Sequence, residues 1–113
     1  MEVRALATDQ PVSPRKVRLL LNLIKGRPVA EALALLESLP QRSARIVHKT
    51  VRSAAANAEN NFDLDPDRLV IKSATAGDGR TLKRFRARSR GRASPLLRRY
   101  SHIEIVVEGN EQV

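Results

Sequence analysis

The chain has 113 residues, with 21 Lys and Arg against 12 Asp and Glu, a net charge of +9 and a pI near 11.2; that length buries one modest core and predicts a single domain over residues 1–113. The absence of Cys excludes a disulfide framework, a thiolate metal site and a thiol nucleophile. No run approaches the roughly 18 apolar residues of a membrane span and Met1-Glu2-Val3-Arg4 does not open a secretory signal, so a cytosolic protein without membrane contact is expected.

The only aromatic residues are Phe62, Phe85 and Tyr100, which leaves the packing to Leu, Val, Ile and Ala. Val3 to Thr8 alternates weakly and predicts a short strand. Ser13 as N-cap and Pro14 at the first helical position open a helix that Gly26 ends. Within it Val17, Leu20, Leu21 and Ile24 form one stripe, and Arg15, Arg18 and Lys25 with Asn22 form another. Pro28 opens a second helix running to about Leu39, with Val29, Ala32, Leu33 and Leu36 inward and Pro40 as its stop. It carries Glu31 and Glu37 and is assigned to the core.

A third helix is predicted from about Ser43 to Asn60, with Ala44, Val47, Val51, Ala54, Ala55 and Ala58 on one side. Arg42, Arg45, Lys49 and Arg52 line up on the other. Unpaired cations on one helix face repel, and a polyanion would reverse the sign of that interaction. Asn60 to Asp67 reads as a loop, because Pro66 rules out helix through it. Arg68 to Ala76 and Tyr100 to Glu108 alternate as strands and suggest antiparallel partners. Gly109 to Val113 reads as a frayed tail.

Between the last two strands, Gly77 to Arg99 has no apolar periodicity and is too long for a simple turn. From Arg80 onward come Arg80, Lys83, Arg84, Arg86, Arg88, Arg90, Arg92, Arg98 and Arg99, with no acid before Glu104. They account for the whole surplus, since the other 12 cations balance the 12 acids. From Arg84 to Arg92 every second residue is arginine. An extended chain brings such residues to one face about every 6.6 Å, and two legs that turn near the middle make a finger about 36 Å long. Guanidinium groups hold phosphate through two N–H groups and stack on bases, which ammonium groups cannot do. The reading is an RNA-binding finger that orders on its partner, beside helical stripes suited to phosphate, 2′-hydroxyl and shape. A solvated basic segment used for solubility is the plainer alternative.

Several motifs imitate sites. Ser13-Pro14-Arg15-Lys16 has the Ser-x-x-Lys spacing of some acyl enzymes without their other motifs, and Ser13 already caps a helix. Asp63, Asp65 and Asp67 lack the later Gly and Glu of a calcium loop and read as a polar turn. His48 and His102 have no Cys partner, so no metal is assigned. Gly77-Asp78-Gly79 reads as a turn or bulge, since no Gly-Lys-Ser/Thr follows.

Taken in order, Ser13-Pro14-Arg15-Lys16-Val17-Arg18, Lys25-Gly26, Ser53-Ala54-Ala55-Ala56-Asn57-Ala58, Asn60-Asn61, Leu82-Lys83-Arg84, Arg88-Ser89-Arg90-Gly91-Arg92-Ala93 and Ser101-His102-Ile103 resemble the bacterial ribosomal protein L twenty-two family of the large subunit. The resemblance covers nearly the whole chain. It implies an α+β fold, with three helices packed on a small three-stranded antiparallel sheet and a long protruding β-hairpin over 77–99. It also implies a structural constituent that binds large-subunit rRNA, supports assembly, has no enzymatic activity or cofactor, and lines the nascent-peptide exit tunnel with its hairpin tip. Ala87, Ser89 and Tyr100 stand where the family usually has Pro, Ala and Thr, which puts a local kink in doubt. Pro95 on the returning leg is unusual too, and broken or bulged pairing is expected there.

The expected rRNA-binding residues are Arg15, Lys16, Arg18, Lys25, Arg45, Lys49, Arg52, Arg80, Lys83, Arg84, Arg86, Arg98, Arg99 and His102. The resemblance makes Arg88, Ser89, Arg90, Gly91 and Arg92 the tunnel-facing tip. Large-subunit rRNA, neighbouring ribosomal proteins and the nascent peptide are the expected partners, with no homo-oligomer. The rival is an architectural DNA-binding protein with a basic arm, which would bind duplex DNA comparably and dimerise.

Overall fold

The computed structural model describes residues 1–87 and 93–109, with side chains placed outside 80–98. The described elements are β1 (Glu2–Gln10), α1 (Pro14–Ile24), α2 (Val29–Ser38), α3 (Arg42–Phe62), a 3-10 turn (Pro66–Arg68), β2 (Val70–Ala87) and β3 (Ala93–Glu108). The strands form one antiparallel sheet in the order β1-β3-β2. This is the expected α+β arrangement of three helices on three strands.

Helices α1 and α3 cover one face of the sheet, and α2 packs on α3. Alternation along β3 sends Ile103, Ile105 and Val107 into that face, where Val3 and Ala5 of β1 join them. The predicted stripe of α1, Val17, Leu20, Leu21 and Ile24, is buried in full, and α1 lies mainly against β2. Ala44, Val47, Val51, Ala54 and Ala58 of α3 are wholly buried, and their small side chains let this helix approach β1, α1 and α2. Each fully buried Val, Leu or Ile contributes about 1.5–3 kcal/mol, so an almost purely aliphatic core suffices for a domain of this size.

Ser13 Oγ accepts from the Lys16 N–H and Pro14 occupies the first turn of α1, as the sequence predicts. Gly26 leaves the helix at φ 81°, a left-handed value that glycine adopts without a Cβ penalty. Its N–H then donates to Ile71 O at 2.8 Å, Ile71 N–H donates to Arg27 O at 3.0 Å, and Val29 N–H to Leu69 O at 2.9 Å. The α1–α2 linker is thereby stitched to the start of β2.

Four expectations need correction. Leu69, inside the strand expected from Arg68, is buried but belongs to the turn before β2, because Asp65 Oδ1 accepts from the Asp67 N–H at 3.0 Å and Pro66 starts a 3-10 turn. The expected loop from Asn60 is partly helix, since α3 runs to Phe62 and turns at Asp63 (φ 52°), delivering Leu64 to the core at 0% exposure. Gly109 is no frayed end: it is buried, donates to Met1 O at 3.2 Å and accepts from the Met1 ammonium at 3.1 Å. Residues 110–113 of the expected tail lie outside the described residues. The ladder also passes Pro95, paired with Phe85, without a register shift, because each strand of a two-stranded ribbon has an unpaired side that tolerates a missing N–H.

The register shifts fall nearer the body. One sits at Lys72, between Ile71↔Val107 and Ser73↔Val106, and moves the buried positions of β2 from Ile71 to Ala74 and Ala76. The other lies between Asp78 and Thr81, where the glycine pair predicted a turn or bulge.

Candidate nucleic-acid interface

β1 last pairs with β3 at Gln10↔Ser101, whereas β2 and β3 stay paired from Thr81↔Arg99 to Ala87↔Ala93. The sheet therefore narrows from three strands to two and leaves as a ribbon, and the molecule measures 70 × 25 × 17 Å. Backbone register places Leu82 opposite Arg98, Lys83 opposite Leu97, Arg84 opposite Leu96 and Arg86 opposite Ser94. Arg80 falls in the bulge at the ribbon's base. The expected tip, Arg88, Ser89, Arg90, Gly91 and Arg92, lies outside the described residues.

The neck is tightly knit. Ser101, fully buried, donates from Oγ to Val12 O at 2.6 Å, which ties β3 to the β1–α1 connection. The Asp9 N–H donates to His102 Nδ1 at 3.1 Å, so the neutral ring carries its proton on Nε2. Asp9 itself adopts φ 48°, at the irregularity where β1 parts from β3. Across the neck, a Cβ on Gly79 would lie 3.1 Å from the Tyr100 carbonyl carbon and oxygen. His102 thus serves the neck through Nδ1.

On the body, Arg15, Lys16, Arg18 and Lys25 are exposed on α1, and Arg45, Lys49 and Arg52 are exposed on α3. None of these seven pairs with a carboxylate among the described residues. Arg18 has an internal role as well, donating from Nε and Nη2 to Ala76 O at 3.1 and 2.9 Å. Lys49 and Arg52 border a shallow recess with Leu33 and Glu59. Arg45 borders another with His48, whose Nε2 lies 3.2 Å from Glu37 Oε1.

The structure gathers Lys16 of α1 and Arg99 of β3 around one groove and adds Arg42, the first residue of α3. Arg42 was absent from the expected set, although its spacing of three from Arg45 already aligned it with that stripe. Asp65 is engaged with the Asp67 N–H and, at 3.5 Å, with Arg68, and no cluster of metal-ligating side chains occurs among the described residues. Among those residues no helix is long and apolar enough to cross a membrane.

The family model described as Ribosomal protein L22p/L17e matches residues 5–108. A "Large ribosomal subunit protein uL22" of Macrococcus caseolyticus is 51% identical over 111 residues, covering 98% of this chain and 90% of that protein. Its namesake in Staphylococcus aureus strain JH9 is 50% identical over 113 residues, covering 99% and 97%. A match over nearly the entire chain, on the three-stranded α+β body that its motifs implied, shows that this chain belongs to the L22p/L17e family of large-subunit ribosomal proteins.

Proposed function

We propose that the chain is one rRNA-binding domain which holds folded RNA of the large subunit against its body and threads the 77–99 ribbon between RNA segments. The observation that carries this is the ribbon itself: the strand pair leaves the body where β1 ends, and from Arg80 to Arg99 it carries nine cations and no acid. Such a charge density repels itself when free and is neutralised by phosphate. Arg15, Lys16, Arg18, Lys25, Arg45, Lys49 and Arg52 supply body contacts in this reading, with Arg80, Lys83, Arg84, Arg86, Arg98, Arg99 and His102 along the ribbon and neck.

Family membership supports extending the reading to early subunit assembly, to neighbouring ribosomal proteins as partners, and to a ribbon tip that lines the path of the nascent peptide. Arg88, Ser89, Arg90, Gly91 and Arg92 are assigned to that tip. The role is structural, without catalysis, cofactor or self-association.

The test compares the full chain with a variant lacking Gly79 to Arg98, titrated with large-subunit rRNA fragments over a range of salt. The expected result is weaker binding and a shallower dependence of log affinity on log salt, by about 0.7–0.9 for each phosphate contact removed. Unchanged affinity and slope would overturn the reading. Replacing Arg88, Arg90 and Arg92 by Ala tests the tip, and unaltered stalling on regulatory peptides together with unaltered macrolide response would withdraw it.

A further inference from the structure

The groove between the start of α1, the α2–α3 connection and β3 encloses about 650 Å³, within the roughly 300–1,000 Å³ typical of sites for small organic groups. Its apolar wall is Pro11, Val12, Leu19 and Leu20; Leu20 is buried, whereas Leu19 is 69% exposed, the most exposed large aliphatic side chain among the described residues. Around this wall stand Lys16, Arg42 and Arg99, with the Gln41 amide beside them and no carboxylate in the lining. The three cations belong to three different elements and form no ion pair among the described residues.

A second observation points to an anion at the same place. α3 starts at Gln41 without a side-chain cap and with no acid in its first turn. The Ala44 N–H donates to Gln41 O, but no side chain caps the opening turn, so the positive end of its dipole is uncompensated, and Arg42 and Arg45 add to that charge. A phosphate there would offset both.

We propose that this groove receives one unpaired nucleotide of an RNA strand. The base lies on Leu19, above buried Leu20, with its edge towards Gln41, and the flanking phosphates meet Lys16, Arg42 and Arg99. The inference rests on the RNA-binding reading above and deepens it: it assigns one site on the body to a base, where the ribbon and helical stripes contact backbone.

The full chain is titrated with hexaadenylate and with the same ribose-phosphate hexamer lacking bases, while the methyl signals of Leu19 and Leu20 are followed by NMR. The hexaadenylate is expected to bind about fivefold more tightly, the lower end of what a stacked base contributes, and to shift both leucines. Leu19→Ser should abolish that preference and leave affinity for the abasic hexamer unchanged, and Arg42→Gln should weaken both hexamers alike. Equal affinity for the two hexamers, or a preference that survives Leu19→Ser, overturns the proposal. Displacement of hexaadenylate by hexaglutamate at equal concentration does so too, assigning the groove to an acidic peptide. Parallel titration with large-subunit rRNA separates the two readings. Loss of binding by the unaltered chain sinks RNA binding altogether, whereas retained binding without a base preference sinks the groove alone.

Discussion

The Arg18 guanidinium donates through both Nε and Nη2 to the carbonyl oxygen of Ala76, at 3.1 and 2.9 Å. This contact fastens α1 to β2 shortly before the ribbon leaves the sheet, and it holds the guanidinium plane in one orientation while leaving its other N–H groups free. Arg18→Ala is expected to lower stability by about 1 kcal/mol, a charged hydrogen bond discounted for partial exposure. Arg18→Lys should recover part of the loss, since an ammonium cannot offer the same fork. Urea midpoints of the three proteins measure this, and equal midpoints would show that the contact adds nothing.

Gly79 controls the neck by being small. A Cβ there would stand 3.0 Å from Asp9 Oδ1 and 3.1 Å from the Tyr100 carbonyl carbon and oxygen. The Tyr100 backbone is held between paired Arg99 and buried Ser101. Gly79→Ala is therefore expected to cost about 1–2 kcal/mol and to speed hydrogen exchange at the Thr81 and Arg99 amides more than at Ile105. Uniform exchange rates across all three would place the strain elsewhere.

The small face of α3 sets how near the helix lies to the sheet. Ala54 is wholly buried between Val51 and Ala58, on a helix that touches β1, β3, α1 and α2. Ala54→Leu adds volume at a wholly buried position and should destabilise the fold by about 1–3 kcal/mol. Ala56→Leu, two residues on and so on the opposite, exposed side of α3, serves as the control and should leave the thermal midpoint nearly unchanged.

The sequence made the helices legible because each carries its own period: every member of the Val17, Leu20, Leu21, Ile24 stripe is buried, and so are the alanines and valines at the centre of α3. The ribbon was legible for a related reason, since a run of cations without apolar spacing cannot enter a core. What stayed hidden depends on partners far away in the chain. The bulge at Lys72 is created by the register against β3, and no local pattern distinguishes it from regular alternation. Gly109 is held by Met1, at the opposite end of the chain. Lys16, Arg42 and Arg99 belong to three separate charge patterns, and only the packing of α1 and α3 beside β3 brings them to one groove.

The same bulge supplies a pH-dependent contact. Lys72 reaches over the central strand from β2 to pair with Glu2 on β1. The Glu2 hydrogen bond and charge hold the Lys72 ammonium above its ordinary pKa; slight desolvation opposes this and Glu108 adds to it. A lysine whose folded pKa is raised contributes stability that is fully present below its unfolded pKa, near 10.4, and is lost as pH rises through the higher folded value. Glu2→Gln should therefore lower the urea midpoint by a small, constant amount from neutral pH to about pH 9, and the two proteins should converge as the pH climbs beyond the lysine range. Because both side chains are about half exposed, added salt should shrink the difference at neutral pH. A gap between the two proteins that persists at high pH, or that resists salt, would show that Glu2 acts by something other than its charge on Lys72.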